Sequence, residues 1–125
     1  MSVLVDSSVW IAYFRGDETA SEVDRLIEEN LLVTNNLILA ELIPSLEVRG
    51  EIHLIDLLKN IEPIPLEIDW NHLIELQVKC LQNGLNRVGI PDLIIAQQAM
   101  RVGLELCTLD KHFHLMSEIV ELEVF

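Results

Sequence analysis

The chain opens with Ser2-Val3-Leu4-Val5-Asp6-Ser7-Ser8-Val9-Trp10, and this stretch decides the fold class. Its short, unbroken apolar run is typical of a strand that is buried on both faces of a sheet. Asp6 falls where that strand would end, and Ser7 and Ser8 are residues that often begin helices. The stretch therefore predicts a strand, a carboxylate and a helix in succession. In open α/β sheets, ligands bind at the ends of parallel strands.

Outward from this stretch, short apolar segments alternate with helical patterns along most of the chain. Helix starts are predicted by capping signals at Thr19-Ala20-Ser21-Glu22, at Asn35-Asn36 and at Asp69. Gly103 is predicted to end the helix that begins near Asp92. Further strands are predicted at 31–34, 61–66, 104–109 and 119–125. Pro44 lies inside the helix that follows Asn36, so we expect a kink or a break there. The alternation predicts an α/β fold with a parallel central sheet and helices on both faces.

Length and composition favour a single domain that spans residues 1–125. The chain has 125 residues, and 50% of them are hydrophobic, which is enough for one packed core. The sequence contains no apolar stretch long enough to cross a bilayer and no secretion signal, so we expect a cytoplasmic protein without a membrane segment. Cys80 and Cys107 have apolar neighbours, which favours reduced thiols in the core over a disulfide.

The charge of the chain restricts its interaction partners. The net charge is −13, from 21 acidic and 8 basic residues, which argues against binding of nucleic acid through broad neutralisation of phosphates. A nuclease stays possible, because a metal ion can supply positive charge locally. The acidic surface favours a basic protein partner.

Four carboxylates stand in positions that suggest chemistry: Asp6, Glu41, Asp92 and Asp110. The first and last follow apolar strands, and the other two lie in apolar helices. Taken singly, each has an ordinary explanation as a helix cap, a turn residue or a charge at a helix N-terminus. Together at one place they would repel and raise each other's pKa, which a hard divalent cation would relieve. Carboxylate oxygens favour Mg²⁺ or Mn²⁺ over zinc.

Four segments of the sequence resemble the PIN-domain family, and in particular the VapC-type toxins of toxin–antitoxin pairs. In order, they are Val3-Leu4-Val5-Asp6-Ser7-Ser8-Val9-Trp10-Ile11, Leu39-Ala40-Glu41-Leu42, Pro91-Asp92-Leu93-Ile94-Ile95-Ala96 and Cys107-Thr108-Leu109-Asp110-Lys111-His112-Phe113. The resemblance implies a single PIN-like domain with an acidic pocket for Mg²⁺ or Mn²⁺. It also implies endoribonuclease activity on RNA, a cognate antitoxin and frequent homodimers.

The same resemblance implies roles for individual residues. Asp6, Glu41, Asp92 and Asp110 would be the catalytic acids that hold the metal, and Ser7 or Ser8 would be a hydroxyl helper beside the first of them. The RNA target stays open, and so does contact between RNA and Arg87 or Lys111. Trp10 and Trp70 are interpreted as core or dimer residues and not as base-stacking platforms.

Two features depart from the family pattern. Gln97-Gln98 stands where small residues are common, so the packing around it is in question. The negative charge leaves few basic residues to hold RNA. The main alternative is a PIN-fold module that binds proteins without catalysis, and the presence of all four acids argues against it. A receiver-type domain fits less well, because Asp6 has no acidic neighbour.

Overall fold

The computed structural model describes residues 2–125, and its elements follow the predicted alternation. Within this range the strands are β1 (Val3–Val5), β2 (Leu32–Val33) and β3 (Glu105–Cys107). The α-helices are α1 (Ser7–Phe14), α2 (Glu22–Glu28), α3 (Asn36–Val48), α4 (Ile52–Lys59), α5 (Trp70–Gln82), α6 (Ile90–Val102) and α7 (Lys111–Met116). A short 3-10 helix spans Glu18–Ala20.

The sheet is parallel and has the order β2-β1-β3 in the described part of the chain. The first strand is therefore central, and Val3 lies opposite both Leu32 and Glu105. All three residues of β1 are buried, as its unbroken apolar sequence predicts. The α/β fold class with a parallel sheet between helices is confirmed, and Asp6 follows the central strand.

Two of the predicted strands are wrong, because each makes only one isolated bridge. In segment 61–66, Pro63 pairs with Thr34, and the prolines at 63 and 65 have no N–H to extend a ladder. In segment 119–125, Val124 pairs with Leu106. That tail turns just before the bridge, where the Leu122 N–H bonds the Val120 carbonyl at 2.8 Å. The two bridges lie at opposite edges of the sheet.

The three longest helices, α3, α5 and α6, each have 13 residues. Of the kink or break expected at Pro44, the break is wrong, because α3 continues through this residue to Val48. Pro44 and Ala40 are both exposed, so the carbonyl that loses its helical partner can bond water. None of the helices described between residues 2 and 125 has the length and apolar character needed to cross a membrane.

The core lies between the sheet and the helices that flank it. Its largest fully buried side chains include Trp10, Phe113, Leu93 and Ile95. Cys80 and Cys107 are free and buried, as predicted for reduced core thiols. Burial raises the pKa of both thiols, and with the charges of Glu22 and Asp6 it brings that of Cys107 to about 11. Both cysteines are therefore unreactive thiols at neutral pH.

Candidate functional site

Asp6 sits at the junction between the central strand and the helix that follows it. Its backbone N–H donates to the Cys107 carbonyl at 3.0 Å, which ties it to the end of β3. Its side chain caps α1, because Oδ1 accepts from the Ser7 N–H at 2.7 Å. The residue is only 4% exposed. A buried carboxylate needs strong hydrogen bonds, and the residues around Asp6 supply them.

Hydroxyl groups surround the Asp6 carboxylate. Ser8 Oγ donates to Oδ2 at 2.7 Å, and Thr108 Oγ1 donates to the same oxygen at 2.9 Å. Ser7 Oγ makes a longer contact of 3.4 Å with Oδ1. Of the two serines predicted as helpers, Ser8 thus has the shorter contact. It also accepts from the Leu109 N–H at 3.0 Å, which joins α1 to the end of β3.

Thr108 was not singled out in the sequence, although it connects two of the predicted acids. Its hydroxyl donates to Asp6 and accepts from the Asp110 N–H at 3.0 Å. The side chain is buried, and it lies one residue past β3. The sequence did contain a signal, because Thr108 is a polar residue near the end of a predicted strand, two positions before the predicted ligand Asp110. Its role depends on pairing between β1 and β3, which sequence spacing does not reveal.

Asp110 caps the last helix. Its Oδ1 accepts from the His112 N–H at 2.9 Å and contacts His112 Nδ1 at 3.0 Å. Both side chains are partly exposed, at 32% for the aspartate and 27% for the histidine. Lys111 next to them is exposed, and so is Arg87 in the loop between α5 and α6.

Glu41 and Asp92 reach this site from α3 and α6. Partial shielding from water raises the pKa of Glu41, and the charges of Asp6 and Asp92 raise it further. Burial raises the pKa of Asp92, followed by the charges of Asp110 and Asp6. His112 and the Gly89 backbone oppose this increase. The four predicted acids therefore interact through their charges, and we refer to Asp6, Glu41, Asp92 and Asp110 as the acid cluster.

The chemistry of the acid cluster suits a hard divalent cation, since every donor is a carboxylate oxygen. Within residues 2–125, however, no three Asp, Glu, His or Cys side chains stand close enough to hold one ion together. Binding of a cation would therefore draw the carboxylates towards each other. Burial raises the pKa of Glu41 and of Asp92, and the neighbouring carboxylates raise both pKa values further.

Gln97 and Gln98, which depart from the family pattern, do not disturb the packing. Both side chains are buried in α6, and both have hydrogen-bond partners. The first bonds to residues at the start of α5, and the second bonds to Asn35 at the start of α3. Buried amides with satisfied hydrogen bonds are compatible with a tight core, so these two glutamines fit the packing of the domain.

Both the sequence and the fold of this chain are similar to those of known proteins. The sequence profile described as PIN domain matches residues 3–119. No curated protein sequence matches the chain. Among solved structures, a chain of VapBC2 from Rickettsia felis bound to a promoter DNA fragment is similar, with 20% identity and a TM-score of 0.77. That similarity covers 100% of this chain and 98% of the other.

Two further solved structures have similar folds. A chain of DNA-bound VapBC from Salmonella typhimurium has 17% identity and a TM-score of 0.75, with coverage of 100% of this chain and 97% of that one. A chain of VapBC-5 from Mycobacterium tuberculosis, a member of the VapBC family of toxin–antitoxin systems, has 23% identity and a TM-score of 0.72. This similarity covers 100% of this chain and 98% of that one. At these identities, the similarity concerns the fold.

Proposed function

Because this chain belongs to the PIN domain family, we propose that it is a Mg²⁺- or Mn²⁺-dependent endoribonuclease and the toxin of a VapBC-type toxin–antitoxin pair. The main support is the acid cluster, in which four carboxylates from separate parts of the chain interact through their charges. The solved structures with similar folds include VapBC toxin–antitoxin assemblies, which supports the second part.

In this proposal, Asp6, Glu41, Asp92 and Asp110 hold the divalent cation. When bound, the cation would lower the pKa of an attacking water and offset negative charge on the phosphate and the leaving oxygen. Ser8 and Thr108 hold the Asp6 carboxylate in one orientation, since both donate to Oδ2. Ser7 has a smaller part through its backbone N–H. RNA is the proposed substrate.

The proposed protein partner is a cognate antitoxin with a basic segment. The net charge of −13 favours a cationic partner, and the acid cluster is the place where an arginine or lysine would be most strongly attracted. Such a side chain would inhibit by pairing with the carboxylates that the cation needs. Arginine suits this role best, because its planar fork matches carboxylate geometry.

A homodimer is proposed from an exposed apolar row on α5. The row consists of Trp70, Ile74, Val78 and Leu81, which are 61%, 63%, 46% and 51% exposed. Their spacing puts them on one face of the helix, and contiguous exposed apolar surface usually marks an interface.

RNA cleavage tests the proposal directly. Purified protein is incubated with structured RNA in Mg²⁺ or Mn²⁺, and in parallel with EDTA. We expect cutting only with metal, and we expect Asp6→Asn and Asp92→Asn each to abolish it. Asp56→Asn is the control, because that aspartate is exposed on α4 outside the acid cluster. Cleavage that survives EDTA would contradict the proposal, and intact RNA together with antitoxin binding would favour a non-catalytic binding module.

A further inference from the structure

Gln98 forms a polar contact between two helices that carry acids of the cluster. Its Oε1 accepts from Asn35 Nδ2 at 2.7 Å, and its Nε2 donates to the carbonyls of Ile64 and Pro65 at 3.3 and 3.2 Å. The side chain is 6% exposed, so water does not compete for these bonds. The amide of Gln98 is therefore fixed in one orientation by three partners.

Asn35 connects Gln98 to the start of α3. It is fully buried and is the N-cap of the helix, where its Oδ1 accepts from the Ile38 N–H at 2.8 Å. Its amide nitrogen faces Gln98, so both ends of the side chain are in use. Leu4 pairs with Val33, and Asp6 and Asn35 each lie two residues further along. The cap of α3 therefore stands at the end of the sheet where Asp6 is found.

The distances along the two helices connect this contact to the acid cluster. Glu41 lies on α3 six residues after Asn35, and Asp92 lies on α6 six residues before Gln98. Helices are stiff over such lengths, so a contact between them fixes how their other side chains face each other. Losing the contact would leave a buried amide without a partner and would let the start of α3 shift.

We propose that Gln98 and Asn35 are positioning residues that set the separation of the Glu41 and Asp92 carboxylates, and thereby the affinity of the acid cluster for a divalent cation. This inference rests on the proposed function of the cluster as a metal site. It does not depend on which RNA is cut. Neither residue touches substrate or metal in this account, and both act through the helices that they join.

Gln97 is a matched control for Gln98. It is also buried in α6, at 1% exposure, and its amide is equally well bonded. Its Oε1 accepts from the Asp69 N–H at 3.1 Å, and its Nε2 contacts the Asp69 carbonyl at 3.0 Å and His72 Nδ1 at 2.8 Å. Asp69 caps α5, a helix that carries none of the four acids. Loss of the Gln97 amide should therefore perturb the fold and not the acid cluster.

The test is Mn²⁺ affinity by titration calorimetry, with melting temperature measured on the same samples. Gln98→Met and Gln97→Met keep the side-chain volume and remove the amide, and both should lower the melting temperature. We expect Gln98→Met to weaken Mn²⁺ binding about tenfold, the lower end of effects seen when a group that supports metal ligands is lost. Gln97→Met should leave the affinity within about twofold of the parent.

Asn35→Ser supplies a second, independent variant. Serine still caps the helix, but it is too short to reach Gln98. It should weaken Mn²⁺ binding to the same extent as Gln98→Met, and the double variant should be no weaker than either single one. Equal affinity in the parent, Gln98→Met and Asn35→Ser would overturn the inference, and so would equal losses in the two glutamine variants. Absence of Mn²⁺ binding in the parent would instead overturn the proposed function and the inference with it.

Discussion

The Thr108 hydroxyl donates a 2.9 Å hydrogen bond to Oδ2 of Asp6, although the two residues are 102 positions apart in the sequence. The bond is possible because β1 and β3 are neighbours in the sheet. Together with the bond from the Asp110 N–H to the same hydroxyl, it joins two acids of the cluster through one buried group. The orientation of Asp6 therefore depends on the pairing of the first and last strands.

Thr108→Val should reduce both stability and activity. Valine keeps the shape of the side chain, but it leaves the Asp110 N–H without its acceptor. Oδ2 of Asp6 would keep Ser8 as its one remaining hydrogen-bond donor within residues 2–125. Losses of this kind cost about 1–3 kcal/mol of stability. We expect RNA cleavage to fall at least about tenfold, corresponding to roughly 1.4 kcal/mol in the barrier. Urea denaturation and initial cleavage rates measure the two effects.

Thr34→Val is the matched control for Thr108→Val. Thr34 is also buried at the end of a strand, but its Oγ1 has no hydrogen-bond partner within residues 2–125. Replacing it with valine should be neutral or stabilising, because no bond is lost. Thr108→Ser should recover most of the activity. Equal losses in Thr34→Val and Thr108→Val would show that the hydroxyl of Thr108 has no special role.

The sequence predicted the local features of this fold well. Helix caps at Asn35 and Asp69, the end of α6 at Gly103 and the position of Asp6 after the first strand all depend on neighbouring residues. Gly103 adopts a φ of 75°, a conformation that glycine allows without strain.

What the sequence did not predict depends on contacts between distant segments. Thr108 was missed because its hydroxyl acts across the β1–β3 pair. The glutamines at 97 and 98 looked unfavourable because their partners, Asp69 and Asn35, lie in other elements. The segments 61–66 and 119–125 have strand-like sequences, but each finds only one pairing position at an edge of the sheet.

The apolar row on α5 gives a prediction about oligomeric state. Ile74→Asp should convert a dimer to a monomer in sedimentation at micromolar concentration, because it puts a charge in the centre of the row. We expect the dissociation constant to rise at least about tenfold, or roughly 1.4 kcal/mol. Ile52→Asp is the control, since Ile52 is 66% exposed on α4, away from the row. A dimer that Ile74→Asp leaves intact, or that Ile52→Asp weakens equally, would place the interface on another surface.

Antitoxin binding should depend on the charges of the acid cluster. Asp6→Asn and Asp92→Asn should each weaken the inhibitory complex by about 2–5 kcal/mol, because they remove one side of a close charge pair. Asp56→Asn should have little effect, and added salt should weaken the parent complex. Calorimetry with the proposed cognate antitoxin measures the effects of both cluster variants, of Asp56→Asn and of salt. Unchanged affinity in both cluster variants would show that inhibition acts elsewhere.

The raised pKa of Glu41 predicts a dependence of stability on pH. A carboxyl whose pKa is higher in the folded state holds its proton more tightly there, so its contribution to stability is complete below the unfolded value of 4.5. That contribution is lost as pH rises through the folded pKa. In EDTA, Glu41→Gln should therefore have the same melting temperature as the parent at about pH 4 and a higher one at about pH 7.

Glu47→Gln on the same helix is the control for this comparison, because Glu47 is exposed and lies outside the acid cluster. It should show the same difference from the parent at both pH values. If Glu41→Gln were less stable than the parent at neutral pH in EDTA, the carboxylate would be stabilising the metal-free fold, contrary to the charge repulsion described above.

The most direct test of the acid cluster as a metal site is the melting temperature of the parent and of Asp92→Asn, each in EDTA and in Mg²⁺. In EDTA the variant should be more stable, by roughly 0.5–2 kcal/mol, because one of four mutually repelling charges is removed. Mg²⁺ at about 100 times its dissociation constant should stabilise the parent by about 2.7 kcal/mol, and the variant by less. General damage to the fold would lower the melting temperature of the variant in EDTA. The account instead predicts a higher melting temperature in EDTA together with a smaller gain from Mg²⁺. A variant that melts below the parent in EDTA and responds equally to Mg²⁺ would contradict the account, because an aspartate that only complements the N-terminus of α6 behaves in that way.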